Sequence, residues 1–306
     1  MSFTPHEKVP LYAQECKRLG IRILKPDINT GVPFFAPNIG EPTIRYGLAS
    51  IKGVANSAQT VYELRVKYGK CETLRDFILR CLCFGISADT MCALCNSGAL
   101  DSIIGGQWNR RQIAKAFGYR EEKDEKKNAQ LLEAANAAIK ALRKNEPALG
   151  NEEVYEKLLS GNEEWKMPEP MAYDDYSSEK MLEIEYSLLN LYASGNPIDP
   201  YMQTILSQRQ GNHNIATTMA EADKEMSAVG LLHSVQIQHR KSDGAPFARF
   251  VVEDESGPLP CVVFTSAYAR LRNNVVEKIV VRVNGKINEE PGTGEKKLMV
   301  SSIIRV

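Results

Sequence analysis

Long hydrophobic runs are missing from this sequence. No uninterrupted apolar stretch approaches the ~18 residues that a membrane span needs. The first residues, Met1 to Glu7, lack the basic-then-apolar pattern of a secretory leader. Membrane and secreted readings are therefore poor, and a cytoplasmic location is expected. Histidine is scarce: His6, His213, His233 and His239 are scattered along the chain. They form no constellation for nucleophilic or acid–base catalysis, so no catalytic residue is assigned. A Walker-type glycine loop is also missing. Net charge is absent, with 38 Lys+Arg against 38 Asp+Glu. Cysteine is present but uneven: Cys16, Cys71, Cys81, Cys83, Cys92, Cys95 and Cys261. An odd number without regular spacing fits reduced thiols in a cytosolic protein.

The chain has 306 residues, 43% hydrophobic and 25% charged, long enough for two or three globular domains. The charge is unevenly placed. Residues 1–118 hold 15 basic and 9 acidic side chains; residues 119–195 hold 10 and 17; residues 196–306 hold 13 and 12. A basic first third can face phosphates, whereas the acidic middle should avoid them.

The pattern along the chain predicts a helix end over residues 7–20, with Leu11, Cys16 and Leu19 near one face and Gly20 as a stop. Ile21 to Leu24 reads as a short strand. Prolines and glycines from Pro26 to Pro42 mark an extended, turn-rich stretch. Residues 44–118 read as short helices joined by tight glycine turns, with Thr73 and Ser87 as N-caps. Asn128 to Lys144 carries an apolar stripe of Leu131, Leu132, Ala135, Ala138, Ile139 and Leu142. Pro147, Gly150, Gly161, Pro168 and Pro170 then interrupt the pattern, until a helix over about 178–193. From residue 226 the period switches to two, giving five strands with a short helix, Thr265 to Leu271, between the third and fourth. That order and about 80 residues of length are those of an OB barrel. The fold class expected is α+β multidomain: a helical helix-hairpin-helix region followed by a five-stranded OB-fold barrel.

Two devices could hold nucleic acid. Ile51-Lys52-Gly53-Val54-Ala55 resembles a helix-hairpin-helix turn. The backbone amides of such a turn approach a DNA phosphate without reading bases, and glycine leaves room for that approach. Lys52, Gly53, Val54 and Ala55 are thus candidates for duplex contact. Ser97 and Gly98, in Asn96-Ser97-Gly98-Ala99, form a more degenerate second hairpin. The plainer alternative for both is a turn with no ligand. At the barrel's first hairpin, His239, Arg240, Lys241, Phe247 and Arg249 supply the charge and stacking faces that single-strand binding requires. Gln236 and Phe250 lie nearby, Phe250 with the opposite parity to Phe247 and so a core candidate. A barrel used only for packing is the alternative. Cys81-x-Cys83 with Cys92-x-x-Cys95 invites a zinc reading. Three of the four thiols fit apolar helix faces, where cysteine is readily buried, so no metal is assigned. Asp174-Asp175 reads as a solvated loop.

Several stretches together resemble the C-terminal half of the bacterial C-family DNA polymerases, the DNA polymerase III alpha subunits. Tyr12-Ala-Gln-Glu-Cys-Lys-Arg-Leu-Gly-Ile21 with Leu24-Lys-Pro-Asp-Ile-Asn29 is similar to the family's end-of-fingers segment. Ile44-Arg-Tyr-Gly-Leu-Ala-Ser-Ile-Lys-Gly-Val54 resembles the start of its helix-hairpin-helix region. Leu74-Arg-Asp-Phe77 and Ser97-Gly-Ala-Leu-Asp101 resemble its next helices. Glu185, Leu188 and Ser194-Gly-Asn-Pro-Ile-Asp-Pro-Tyr201 resemble the segment before its OB domain. Ala55 stands where the family usually has glycine, and Asn196 where it usually has histidine. The family's clamp-binding peptide is not recognisable in 119–176.

The resemblance implies four segments: 1–43, end-of-fingers-like; 44–118, tandem helix-hairpin-helix; 119–225, helical insert and connector; 226–306, OB fold. It implies duplex DNA held by the hairpins and single-stranded template held by the barrel. It implies no catalysis by this chain, because the family's metal-binding carboxylates lie in an upstream palm. No cofactor is expected in this chain; magnesium is expected in a separate catalytic partner, a palm-containing polymerase chain. DNA, that chain and a sliding clamp are the implied partners, with no membrane. A fragment and a split-gene product are equally compatible. A rival from another class is an assembly subunit of a replication complex with little DNA binding of its own.

Overall fold

The computed structural model describes residues 8–105, 107–161, 165–209, 214–220, 225–289 and 296–306. The chain divides into two compact units, Met1–Asn196 and Pro197–Val306.

The first unit opens with α1 (Val9–Arg18) and β1 (Arg22–Leu24). Val9 is the buried residue of α1, while Leu11 and Leu19 are exposed. The apolar face expected from Leu11, Cys16 and Leu19 is therefore not the packed one. β2 (Ala36–Pro37) and β3 (Thr43–Arg45) come next, inside the proline-rich stretch. They join β1 in a three-stranded sheet of order β1-β3-β2, with β1 and β3 parallel. The helices of the unit are α2 (Ala58–Tyr68), α3 (Leu74–Cys83), α4 (Ala88–Asn96), α5 (Arg110–Ala116), α6 (Gln130–Asn145), α7 (Asn151–Leu159) and α8 (Ser178–Leu189).

Local chemistry sets these boundaries. Thr73 Oγ1 accepts from the Asp76 amide at 3.1 Å and Ser87 Oγ accepts from Thr90 at 3.2 Å, so each caps its helix. Asn109 and Gln112 form a reciprocal capping box at the start of α5. Helix α7 departs from the sequence pattern, in which Pro147 and Gly150 read as breakers. They mark a helix start instead: the Glu153 carboxylate reaches back to accept from the Gly150 amide at 2.7 Å. Helices α6 and α7 share one hydrophobic core with the short helices, through Leu131, Ala135, Leu142, Val154 and Leu158. The stretch expected to be an insert thus lies partly in the same core as the hairpin region.

A buried ionic network crosses this core. Arg110, at the first turn of α5, donates to Glu185 of α8 at 3.0 Å and to both oxygens of Asp101 at 2.9 and 2.7 Å. The Glu185 side chain has 0% exposure. It also accepts from the Ser194 amide at 3.0 Å and hydroxyl at 2.6 Å. Lys25 reaches Asp101 from the N-terminal segment at 3.1 Å. Burial alone would lower the Arg110 pKa; the charge of Asp101 and the bond to Glu185 outweigh it and raise it. A second pair, Asp76 and Arg80, binds Tyr155 and so ties α3 to α7.

The second unit begins with α9 (Met202–Gln208) and α10 (Ile215–Ala220), neither of them evident in the sequence pattern. Asp254 anchors this lead-in to the barrel, accepting from Arg209 at 2.8 Å and from the Ile215 amide at 2.9 Å. Then come β4 (Glu225–His239), β5 (Pro246–Asp254), β6 (Gly257–Val263), α11 (Thr265–Leu271), β7 (Ile279–Glu289) and β8 (Lys296–Arg305). The strands close in the order β4-β5-β6-β8-β7. Ala248, Phe250 and Val252 point inward along β5, and Phe247 and Arg249 take the other parity. The turn expected at Pro291 to Gly294 lies outside the described residues, as does His213. Closure rests on a parallel β6–β8 pairing of two residue pairs, Cys261 with Leu298 and Val262 with Met299.

Removing one partner of a buried ion pair leaves the other charge uncompensated, which costs about 3–5 kcal/mol. Glu185→Ala is therefore expected to lower the stability of the first unit in urea denaturation by at most that amount, because Asp101 still pairs with Arg110. Glu185→Gln, which keeps an acceptor for Arg110 and Ser194, should cost less.

Candidate nucleic-acid interface

The first hairpin lies between a 3-10 turn at Leu48–Ser50 and α2. Ile51 and Val54 are buried, whereas Lys52, Gly53 and Ala55 are exposed. The apolar residues pin the turn and lift its backbone to the surface. Gly53 has φ +88, a conformation that L side chains rarely adopt. Ala55 is not among the positive-φ residues, so alanine carries no backbone strain there. Among the described residues, the amides of Gly53, Ala55 and Asn56 make no internal hydrogen bond. The Lys52 amide is used, donating to Leu188 O at the end of α8 at 3.0 Å. The fully buried Tyr46 hydroxyl donates to Ser50 O and Leu189 O, at 3.1 and 2.8 Å. Burial raises its pKa. The turn is thus held from below by α8.

The second hairpin is different. Ser97 and Gly98 are buried. Their amides are bonded to Ala93 O and Cys95 O, and Ser97 Oγ donates to Leu94 O. The place a Gly98 Cβ would take lies 3.0 Å from Arg110 Nη2. Gly98 serves the end of α4 and the packing of Arg110. The expected exposure of Ser97 and Gly98 to a phosphate is not what the structure presents.

The barrel carries a groove of about 680 Å³ on the outer face of β5 and β6. Arg240, Phe247 and Arg249, three of the residues singled out in the sequence, line it, and Arg249 lies 5.7 Å over the Phe247 ring. His239 and Lys241 are exposed beside Arg240 but do not line the groove. Arg240 is paired with Asp243, whose carboxylate holds its guanidinium in place and raises its pKa. Sequence reasoning missed the other seven lining residues, among them Phe264, Asn288, Lys297 and Met299. Phe264 is half exposed, just beyond β6. Its exposure reflects outward parity at the end of an alternating strand. Lys297 and Met299 come from β8 and reach the groove only through barrel closure. Phe250 is buried in the barrel core.

The cysteines do not converge on a metal. Among the described residues, no three His, Cys, Asp or Glu side chains gather as a metal site. Six of the seven thiols are buried and Cys16 is half-buried. Burial pushes Cys83 up to about 11 and Cys92 up to about 12. Asp175 of the acidic pair is structural, accepting from the Arg111 and Tyr176 amides.

Comparison with known families agrees with the two domain folds. A helix-hairpin-helix motif model matches residues 20–113, and an OB-fold nucleic acid binding domain model matches residues 227–306. The chain is thus of the class that joins a helix-hairpin-helix region to an OB fold. More particularly, it is a homologue of a stretch of the DNA polymerase III alpha subunits. It is 30% identical to that subunit of Borreliella burgdorferi, over 92% of this chain and 23% of the relative. To the subunit of Aquifex aeolicus it is 29% identical, over 95% of this chain and 21% of the relative. To that of Escherichia coli O157:H7 it is 25% identical, over 98% and 24%. The chain spans about a quarter of the length of these relatives. No helix among the described residues is long and apolar enough to cross a membrane.

A thiol with a raised pKa is almost wholly protonated near neutrality, and a buried one is also shielded. Maleimide labelling of the native chain at pH 8 is expected to modify Cys16 first. The other six should react only as denaturant unfolds the protein.

Proposed function

We propose that this chain is the DNA-binding, non-catalytic portion of a C-family replicative polymerase, working with a palm-containing chain or region that holds the magnesium ions. Under this reading Lys52 and the free amides of Gly53 and Ala55 grip the duplex backbone without sequence preference. The barrel groove holds single-stranded template: Phe247 and Phe264 stack on bases, and Arg249 and Lys297 face the backbone. The observation that carries the reading is the groove itself, where two aromatic rings and cationic side chains from three parts of the barrel meet. A cytoplasmic location and a sliding clamp as a further partner belong to the same proposal.

The assembly-subunit alternative has one observation in its favour. Leu11, Tyr12 and Leu19 stand exposed on and beside α1, an apolar surface of the kind that protein partners cover.

Loss of a stacked base costs about 1–3 kcal/mol. Phe264→Ala is therefore expected to weaken single-strand binding roughly 5- to 150-fold in fluorescence anisotropy, with duplex binding little changed. Lys52→Glu should do the reverse. Equal loss on both substrates from either variant would remove the division of labour. Primer-extension assays of the chain alone, with magnesium and nucleotides, are expected to show no added nucleotide.

A further inference from the structure

The charged run from Arg120 to Lys127 reads as part of an acidic segment that DNA should avoid. Its folded arrangement separates those charges. Two of its carboxylates are turned inward. Glu121 accepts from Arg111 Nε at 2.9 Å and lies 3.1 Å from Lys115 Nζ. Glu125 is paired with the same Lys115, whose side chain is only 4% exposed. Glu125 also accepts from the Glu121 amide at 2.9 Å, closing the loop on itself. Burial opposes ionisation of Glu121, but the hydrogen bonds from Arg111 and Lys115 outweigh it and lower its pKa. Both anchoring cations come from α5, so the loop is fastened to a rigid element.

With Glu121 and Glu125 so engaged, Arg120, Lys123, Lys126 and Lys127 remain exposed against Glu122 and Asp124. The loop therefore presents a net positive edge. That edge adjoins the first hairpin. A groove of about 580 Å³ has Lys52 and Gly53 on its lining together with Arg120, Lys123 and Lys127. Asp89 and Glu122 are the remaining acidic side chains on that lining besides Glu121. Lys127 crosses over Gly118, where a Cβ would collide with the Lys127 stem. The missing side chain lets the lysine stem pass close to the backbone.

We propose that the 119–127 loop is a second wall of the duplex-backbone site, with Lys123 and Lys127 meeting phosphates that neighbour the one at the Gly53 hairpin. The proposal rests on the reading of that hairpin as a duplex contact. It adds a footprint of several phosphates and assigns the grip to side chains from outside the hairpin region. It also gives the buried Lys115 a role, since Lys115 draws the carboxylates away from the DNA.

The test is anisotropy titration of the full chain on a random-sequence duplex across a range of salt. Each phosphate contact contributes about 0.9 to the slope of log K against log salt. The double variant Lys123→Gln, Lys127→Gln should lower that slope by about 1.8 and weaken binding about tenfold or more at low salt. Lys52→Gln should lower it by about 0.9. A control pair, Lys140→Gln with Lys144→Gln, removes two exposed lysines of α6 that do not line the groove. It should leave the slope unchanged. If Lys52→Gln weakens binding and the loop variant does not, the second wall is overturned while the hairpin reading stands. If the α6 pair matches the loop pair, net charge rather than contact is responsible and the second wall is again overturned. If Lys52→Gln has no effect, the hairpin reading fails on its own account, and this inference with it.

Discussion

The bond between Arg110 and Glu185 is the constraint on which the first unit depends. Both charges are shut away from water, so each needs its partners in place. Asp101 holds Arg110 from the far side, and Ser194 saturates Glu185. Through these contacts α5, α8 and the loop after α4 take one relative position. The end of α8 then supplies two carbonyls that hold the hairpin, one to the Lys52 amide and one to the Tyr46 hydroxyl. The surface turn inherits its placement from a charge pair buried beneath it. The same network packs over the second glycine turn: Gly98 has φ +82, which favours glycine, and Arg110 and Asp101 lie close to where a Cβ would sit.

Periodic elements are legible in the sequence, and non-local ones are obscure. Thr73 and Ser87 announce their helices because a capping hydroxyl acts within four residues. The barrel is readable because alternation repeats along each strand, and a short helix in the right gap narrows the topology. The three-stranded sheet is not readable, since its strands are two or three residues long and one pairing is parallel across a proline-rich loop. Helix α7 is hidden by residues that can either stop or start a helix. For the candidate site the same division holds. Gly53 and Phe247 can be named because local pattern places them. Phe264, Lys297 and Met299 cannot be joined to them until closure brings three strands together. The burial of Ser97 and Gly98 comes from tertiary packing that the local pattern does not reveal.

Charge counting along the chain misleads for a physical reason. A carboxylate in contact with a cation is largely cancelled by it and adds little to the field beyond the pair. In the 119–127 loop two of four carboxylates face cations of α5, and the lysines do not. A segment that is neutral by composition thereby becomes positive on its outer edge. In the barrel the converse occurs, since Asp243 occupies Arg240.

The parallel seam of the barrel joins these themes. Val262 and Met299 are register partners across β6 and β8, and both also line the groove. A polymer lying along that channel would bridge the shortest ladder in the cylinder. Any ligand that prefers the closed cylinder to an opened one stabilises it by mass action. Occupancy of the groove and closure of the cylinder would then be linked, and amide exchange along this seam would report loading.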